Sequence, residues 1–600
     1  MKKINIHILP VNEVIEANEG SNLLDILHKQ NYKIPSSCGR KGICGKCLVE
    51  VKENNDKRLV YACQFNITKE ITVYLPDKYI QTEGETFQYQ KPYFINTTIQ
   101  LKPNIYASKL LLDKPGFNDT RSYISRIFQK IGEKDIPLSL LKILQEKIRE
   151  NNFSGILISS EKKILDWLSD NEYKGCYGIA IDLGTTSIAI EITDVISGET
   201  KGAISDLNPQ VMYGDDVISR ISYAIHSKEN LKQLQKKVID GINNLLHKLT
   251  NQTGIDTNCI YDITIAGNTT MIHLLTGINP VSLGECPFVP VIDSTINTHA
   301  KELEINTHPE AEVYIYPAVG GFVGGDIVSG LVALNLFNYN KPFLFIDLGT
   351  NGEIVVGNDG HLWTASTAVG PAFEGGRIQC GMRATIGAIE HVSYDNDDIQ
   401  IYTIGNVKPV GICGSGLIDL LAVLLNLGIV DYSGKMLNNE KLRNIIPDKI
   451  KARIKLKNNE TVFIVNDYKD IDNAIFLSAH DVRQLQLSCS AIKCGIKLLS
   501  EIARINLENI KKVFVAGTFG YYVNPNNLVR LGLLPNEVNV NNISFVGNTS
   551  LAGSKLALIN KDIRKKANEL AKTIKHIDLS TLPNFEEEFA LSTFFPTNQG

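Results

Sequence analysis

Four cysteines near the start of the chain are spaced to hold a metal. The stretch CGRKGICGKC supplies Cys38, Cys44 and Cys47, and RLVYACQF supplies Cys63, giving Cys-x5-Cys-x2-Cys-x15-Cys. Zinc sites usually present their sulfurs as two separated CxxC pairs on two turns. Here one loop gives three sulfurs and a distant strand end gives the fourth. That suits a [2Fe-2S] cluster capped by the loop, with zinc or free thiols as the alternatives. Gly39, Gly42 and Gly45 let the backbone close around an inorganic core and turn N–H groups toward the sulfurs. A disulfide framework does not fit, because 11 cysteines in 600 residues are odd in number and sparse, whereas disulfide scaffolds are short and cysteine-dense. The remaining seven, Cys176, Cys259, Cys286, Cys380, Cys413, Cys489 and Cys494, are scattered and are expected as buried small hydrophobes.

A second chemistry is written twice. YGIAIDLGTTSIAIEI (177–192) and PFLFIDLGTNGEIVV (342–356) each run from an apolar strand through Asp-Leu-Gly-Thr into another strand, an internal repeat. Such a hairpin suits a polyphosphate. Glycine lets backbone N–H groups approach the oxygens, threonine hydroxyls donate to them, and aspartate holds hydrated Mg2+. Each half carries a later apolar run ending in Ala-Gly, YDITIAGNTTMIHLL at 261–275 and KKVFVAGTFGYYVNP at 511–525. The second half is longer between its landmarks by about 85 residues, an insertion.

Around these motifs the chain reads as ordinary globular protein, 43% hydrophobic and 21% charged, with net charge −4. The length predicts roughly three to five domains. No basic footprint for nucleic acid is present. GLIDLLAVLLNLGIV at 416–430 contains Asp419 and Asn426 and is too short to span a bilayer, so a buried helix is expected and no membrane role. The N-terminal MKKINIHILP lacks a secretory h-region, and with the cysteine usage this predicts a reducing, cytoplasmic compartment. KINIHI alternates with period two, Ser21 can cap a helix over NLLDILHKQ, and CLVEV and ITVYL read as strands. That order of strands, one helix and a loop is the order of a small β-grasp sheet. Further on, PLSLLKILQEKIRE is an amphipathic helix with Pro137 at its start and Leu140, Leu141, Leu144 and Ile148 on one side, followed by the strand FSGILIS. The Glu586, Glu587, Glu588 run reads as a solvated turn.

Residues 1–76 resemble plant- and adrenodoxin-type ferredoxin domains, with a first gap of five residues where the plant pattern has four. Residues 176–560 resemble the sugar kinase, Hsp70 and actin superfamily, two ribonuclease-H-like α/β lobes with ATP in the cleft between them. That resemblance assigns Asp182, Gly184, Thr185 and Thr186 to the first phosphate motif and Asp347, Gly349, Thr350 and Asn351 to the second. It also places Gly517, in VAGTFG, in the adenosine motif. The element joining the lobes carries, in that superfamily, the residue that orients the attacking water. Asp326, in AVGGFVGGDIVSGLVAL, is therefore the catalytic candidate, with a helix N-cap as the alternative. Glu353 and Glu374 are further candidates to face the cleft.

The expected organisation is a ferredoxin-like domain (1–76), a linker (77–94), a small middle α/β domain (95–175) and an ATPase domain (176–600). Within the last, lobe one covers about 176–340, lobe two about 341–560, and 561–600 form a C-terminal extension. The order of YGIAIDLGTTS, AGNTTM, GGFVGGD, IDLGTNGE, GPAFEGG and GICGSGLID after a Cys-x5-Cys-x2-Cys domain is similar to the reductive activators of corrinoid proteins. These return inactive Co(II) to Co(I) at the expense of ATP. The resemblance implies that Cys38, Cys44, Cys47 and Cys63 hold the electron. It also implies a corrinoid partner, either a corrinoid iron–sulfur protein or the corrinoid subunit of a methyltransferase, together with an upstream low-potential donor and a homodimeric state. ATP is needed because a mismatch of roughly 200 mV amounts to about 5 kcal/mol. The rival readings are a small-molecule kinase with a regulatory cluster, a nucleotide-driven binding module, and an electron donor to another low-potential enzyme.

Overall fold

The computed structural model describes all residues except 1–2, 31, 33, 35–41, 43–46, 54–55, 76–99, 439–445, 468–473, 518–522 and 598–600. In the N-terminal region, strands β1 (Lys3–Leu9), β2 (Glu13–Asn18), β3 (Leu48–Glu53), β4 (Asp56–Tyr61) and β5 (Ile71–Tyr74) form one sheet in the order β2-β1-β5-β3-β4. The period-two pattern of β1 buries Ile4, Ile6 and Ile8 against Leu23, Leu24 and Leu27 of α1 (Leu23–Lys29), the β-grasp arrangement. The cap of α1 is Asn22, not Ser21. Asn22 Oδ1 accepts from Leu24 N at 3.1 Å, and its Nδ2 donates to the Cys63 carbonyl at 3.1 Å, so one side chain both caps the helix and ties it to the second cysteine turn.

A three-stranded sheet follows, β6 (Tyr106–Leu111), β7 (Ser154–Ser159) and β8 (Ile164–Leu168), with helices α2 (Tyr123–Ile131) and α3 (Leu138–Glu150). In α3, Leu140, Leu144 and Ile148 are buried while Leu141 is 36% exposed. One residue on from Leu140, Leu141 is rotated off the apolar stripe. This unit is pinned to the next sheet by Ser160 Oγ donating to Glu312 Oε1 at 2.6 Å and by the Lys163–Glu310 pair at 2.7 Å.

The two halves that carry the repeat each build a mixed sheet. The first contains β9 (Tyr177–Leu183), β10 (Ser187–Asp194), β11 (Thr200–Leu207), β12 (Ile260–Gly267), β13 (Ile296–His299) and β14 (Glu312–Ile315), ordered β11-β10-β9-β12-β14-β13. Helices α4 (Val217–Ile225), α5 (Lys228–Thr253), α6 (Thr269–Thr276) and α7 (Gly325–Ala333) accompany it. The second half begins with β15 (Phe343–Leu348), β16 (Gly352–Asn358) and β17 (His361–Thr367). Its extra length follows as two small sheets, β18 (Ala388–Asp395), β19 (Asp398–Thr403) and β20 (Gly411–Ile412), then β21 (Ile454–Lys457), β22 (Glu460–Ile464) and β23 (Phe476–Ser478), with α8 (Gly414–Asn426) and α9 (Asp448–Arg453) between them.

After α10 (Ala479–Ala503) come β24 (Lys512–Ala516), α11 (Pro525–Arg530), β25 (Ile543–Gly547), α12 (Thr549–Ile559), α13 (Asp562–Thr573), β26 (Lys575–His576) and α14 (Phe585–Ser592). The second large sheet is ordered β25-β24-β15-β16-β17-β26. In both large sheets the first strand is central, and β9 and β15 are apolar up to Asp182 and Asp347, as strands covered on both faces require.

Between the sheets, α7 packs against Phe343, Phe345 and Phe514, and α12 against Ala180 and Ala189. The two helices touch through small residues: a Cβ on Gly553 would lie 2.1 Å from the Ser329 carbonyl oxygen. The apolar run at 416–430 is largely α8, deeply buried, and no helix among the described residues is long and apolar enough to cross a membrane. Two expectations change here. Glu586, Glu587 and Glu588 form the first turn of α14, where acidic side chains suit the positive helix end, and Glu588 accepts from Lys497 at 2.6 Å. Of the scattered cysteines, Cys286 is exposed and Cys380 half-buried. Cys286 lies in the irregular chain before Pro287, where no core forms around it.

Candidate functional site: a cysteine pair and an interlobe cleft

The pairing of Leu48 with Tyr61 sets β3 and β4 in register, and Ala62 N donates to the Cys47 carbonyl at 2.9 Å. This brings Cys47 and Cys63 together, both buried, with their Sγ atoms 3.2 Å apart and no disulfide between them. Gly42 holds φ at +71°, and a Cβ there would lie 3.0 Å from Gln64 Cγ. Gly42 thus lies close beside the Cys63 turn. Cys38 and Cys44 lie outside the described residues. Two convergent, buried, unoxidised thiols beside a close-packed glycine fit a [2Fe-2S] group.

The two Asp-Leu-Gly-Thr turns close hairpins β9–β10 and β15–β16, where Leu183 faces Ile188 and Leu348 faces Gly352. At Gly184 a side chain would meet the Ser187 carbonyl at 2.7 Å. Gly517 holds φ at +112°, and a Cβ there would meet the Leu348 carbonyl at 2.4 Å, so the chain leaving β24 turns in tightly against the end of its parallel neighbour β15. The rest of the expected adenosine turn, 518–522, lies outside the described residues. In the second turn Gly349 N donates to the Asn351 carbonyl at 3.0 Å. Asn268 caps α6 through Met271 N (2.9 Å), and its Nδ2 donates to Thr185 Oγ1 at 2.8 Å.

Asp182 ends β9 and is held from the other half of the chain. Asn548 Nδ2 donates to its Oδ2 and Ser550 Oγ to its Oδ1, both at 2.7 Å, while Asn548 Oδ1 caps α12. Asp326 is the second residue of α7, whose cap is Gly324, and its Oδ1 accepts from Ile327 N at 2.9 Å. Burial, with the charge of Asp182, pushes Asp326 up to about 7, and burial with the charges of Asp326 and Asp182 pushes Asp347 up to about 8. The same causes drive Glu353, on β16, well above the usual carboxylate range, with Asp326 and Asp347 as its neighbours. Asp182 is raised by burial against its two donors. A recess lined by four acids that each resist ionisation is a site awaiting positive charge. Among the described residues no three His, Cys, Asp or Glu side chains are arranged to hold a metal ion directly.

Glu374 closes the cleft. Thr186 Oγ1 and Thr350 Oγ1 lie 2.8 and 2.9 Å from its Oε2 and 2.7 Å from each other, so one hydroxyl from each hairpin meets one carboxylate. The structure therefore brings Asp182, Asp326, Asp347, Thr186 and Thr350 to one cleft, with Thr185 and Gly184 on its first hairpin and Gly349 and Asn351 on its second. The sequence reading passed over Asn268, Asn548 and Ser550. A signal for them existed, since Gly-Asn-Thr-Thr at 267–270 recurs as Gly-Asn-Thr-Ser at 547–550, in both cases where a strand runs into a helix.

Comparison with known proteins agrees with this geometry. Residues 6–68 match the 2Fe-2S iron–sulfur cluster binding domain, residues 177–339 the RACo middle region, and residues 341–600 the C-terminal domain of RACo, the ASKHA domain. The chain is 33% identical over 600 residues to corrinoid activation enzyme RamQ of Eubacterium limosum, covering 98% of each. It is 24% identical over 448 residues to [Co(II) methylated amine-specific corrinoid protein] reductase of Methanosarcina barkeri, covering 68% of this chain and 75% of that one. A solved structure of a reductive activator for corrinoid, iron–sulfur protein superposes with TM-score 0.77 and 32% identity over 99% of each chain. This chain belongs to the family of reductive activators of corrinoid proteins.

Proposed function

We propose that this protein uses ATP to drive one electron from an N-terminal [2Fe-2S] centre to the Co(II) of a corrinoid protein, regenerating Co(I) for methyl transfer. The observation that carries this reading is the coexistence, in one chain alike to such activators from end to end, of a buried thiol pair and a cleft closed by two phosphate hairpins. Cys38, Cys44, Cys47 and Cys63 would hold the cluster, which when bound supplies a single electron at low potential.

The chain's own work lies in the cleft. Thr185, Thr186, Thr350 and Asn351 offer hydroxyl and amide groups to the phosphates of ATP, Gly184 and Gly349 let the backbone approach them, and Gly517 admits the nucleoside end. Asp182 and Asp347 would hold Mg2+ through its water shell. Asp326, at the start of α7, orients the attacking water. Because Asp182 is held by the first turn of α12, and α12 packs on α7, a change at the phosphates reaches both helices that join the sheets. That is the route by which hydrolysis would alter the face presented to the partner. The client is a corrinoid iron–sulfur protein or a methyltransferase corrinoid subunit, the upstream donor is a low-potential carrier, and the assembly is a homodimer.

The test is anaerobic. Chemically reduced protein is mixed with a Co(II) corrinoid protein with and without Mg-ATP, and the corrinoid spectrum is followed. Co(I) should appear only with ATP. An intact, reducible cluster that yields no Co(I) with any of several corrinoid proteins would overturn the reading. Cys44→Ala should abolish the visible cluster absorbance while sparing nucleotide binding, and Asp347→Ala should do the reverse.

A further inference from the structure

Glu374 sits in a turn that reaches both halves of the cleft. It is the last residue of a short turn at Pro371–Glu374 and is followed by Gly375, whose φ of +75° reverses the chain. Three residues on, Arg377 Nη2 donates to Asp216 Oδ2 at 3.3 Å, a second contact from the same stretch to the first lobe. Its carboxylate has drawn in the two hydroxyls that the phosphate hairpins would otherwise turn to a ligand. Three oxygens lie within 2.9 Å of one another around two hydroxyl protons. That is the arrangement two threonines would offer an anionic phosphate oxygen. Burial raises the Glu374 carboxyl above its usual range, while the two threonine hydroxyls and the half-buried Arg383 pull it back toward the ionised form.

We propose that Glu374 is an internal stand-in for phosphate: a carboxylate latch that holds Thr186 and Thr350 together until the terminal phosphate of a nucleoside triphosphate displaces it. Carboxylate and phosphate cannot share the two hydroxyls, because each hydroxyl has one proton to donate and the two anions repel. A diphosphate that does not reach the threonine pair leaves the latch shut. The latch thus makes the cleft pay a selective penalty for triphosphate and couples release of the 371–383 stretch to the arrival of that phosphate.

This rests on the reading that Thr186 and Thr350 receive the phosphates of ATP. Titration calorimetry on the full chain with Mg-AMP-PNP and Mg-ADP separates the two ideas. Glu374→Ala, which removes both the charge and the acceptor, should bind Mg-AMP-PNP about tenfold more tightly than the parent. Glu374→Gln, isosteric and still an acceptor, should gain about threefold. Mg-ADP affinity should stay within about twofold in both. If Glu374→Ala does not fold, Glu374→Gln alone decides. Unchanged or weaker AMP-PNP binding in a folded variant, or parallel tightening of both nucleotides, would overturn the latch. A parent protein that binds neither nucleotide would instead overturn the phosphate reading beneath it.

Discussion

The two Asp-Leu-Gly-Thr hairpins share a sequence and a strand pairing, yet their aspartates live differently. Asp182 is gripped by Asn548 and Ser550 from the first turn of α12, so its charge is met by donors and its position ties one half of the chain to the other. Asp347 receives no hydrogen bond from a described side chain and is pressed upward by burial and by the neighbouring acids. One turn is a joint, and the other is a carboxyl held back from ionising. An internal repeat therefore conserves the shape of a phosphate hairpin without conserving its job, and mutations at matched positions should separate the two.

The largest separation is expected from the aspartates themselves. Asp347→Asn should weaken Mg-nucleotide binding about 100-fold, as loss of an outer contact to a metal does, while the nucleotide-free protein melts at the same temperature or slightly higher because a like charge is gone. Asp182→Ala should also weaken binding, but it leaves two donors without an acceptor at the lobe junction and should cost about 1–3 kcal/mol of stability as well. Calorimetry and thermal melts on both variants test this, and equal stability losses would erase the distinction. A smaller contrast lies in the capping asparagines. Asn548→Ala and Asn268→Ala each remove a helix cap worth about 1 kcal/mol, but only Asn548→Ala also frees Asp182. Asn548→Ala should therefore lower nucleotide affinity several-fold more than Asn268→Ala does, measured by the same titrations.

Much of this was legible in the sequence because it is written locally. The strands around each Asp-Leu-Gly-Thr turn, the glycines that permit close approach, and the alternation in KINIHI each carry their signal within a few residues. What could not be read there is contact across the fold. Nothing near Asp182 announces that Asn548, 366 residues away, will hold it, although the recurrence of Gly-Asn-Thr hinted at paired roles. The same limit explains Asn22. Ser21 is an equally good cap in isolation, and the choice is made by the Cys63 turn, to which only the asparagine amide reaches. Leu141 and the Glu586 run fail for a simpler reason, since a helix stripe or a helix start depends on register that composition does not fix.

The finest contrast is in pH. Asp326 and Asp347 are pushed up to about 7 and about 8, and Glu353 is also raised well above the usual range, whereas unfolded carboxyls titrate at about 4. The folded state then binds more protons than the unfolded one across that interval. The stability these groups contribute is complete below about pH 4 and is lost as pH rises through about 7 to 8. Burial works the other way on His273, His308 and His576, whose values are lowered and whose contribution is present above about 6.5 and lost on acidification. Between about pH 7.5 and 8.5 the histidines are neutral in both states and drop out of the slope, while the acids and the buried thiols of Cys176, Cys259, Cys413, Cys489 and Cys494, raised by burial, both lower stability as pH rises. The nucleotide-free protein should melt lower at the upper end of that window, and Asp347→Asn should flatten the profile because it removes one titrating group and, besides burial and Asp326, one of the causes that raise Glu353. Mg-ADP should flatten it too, by supplying the positive charge the recess lacks. A melting profile that rises with pH in the parent, or one that Asp347→Asn leaves unchanged, would mean that the second hairpin's aspartate is already satisfied and that the two turns are alike after all.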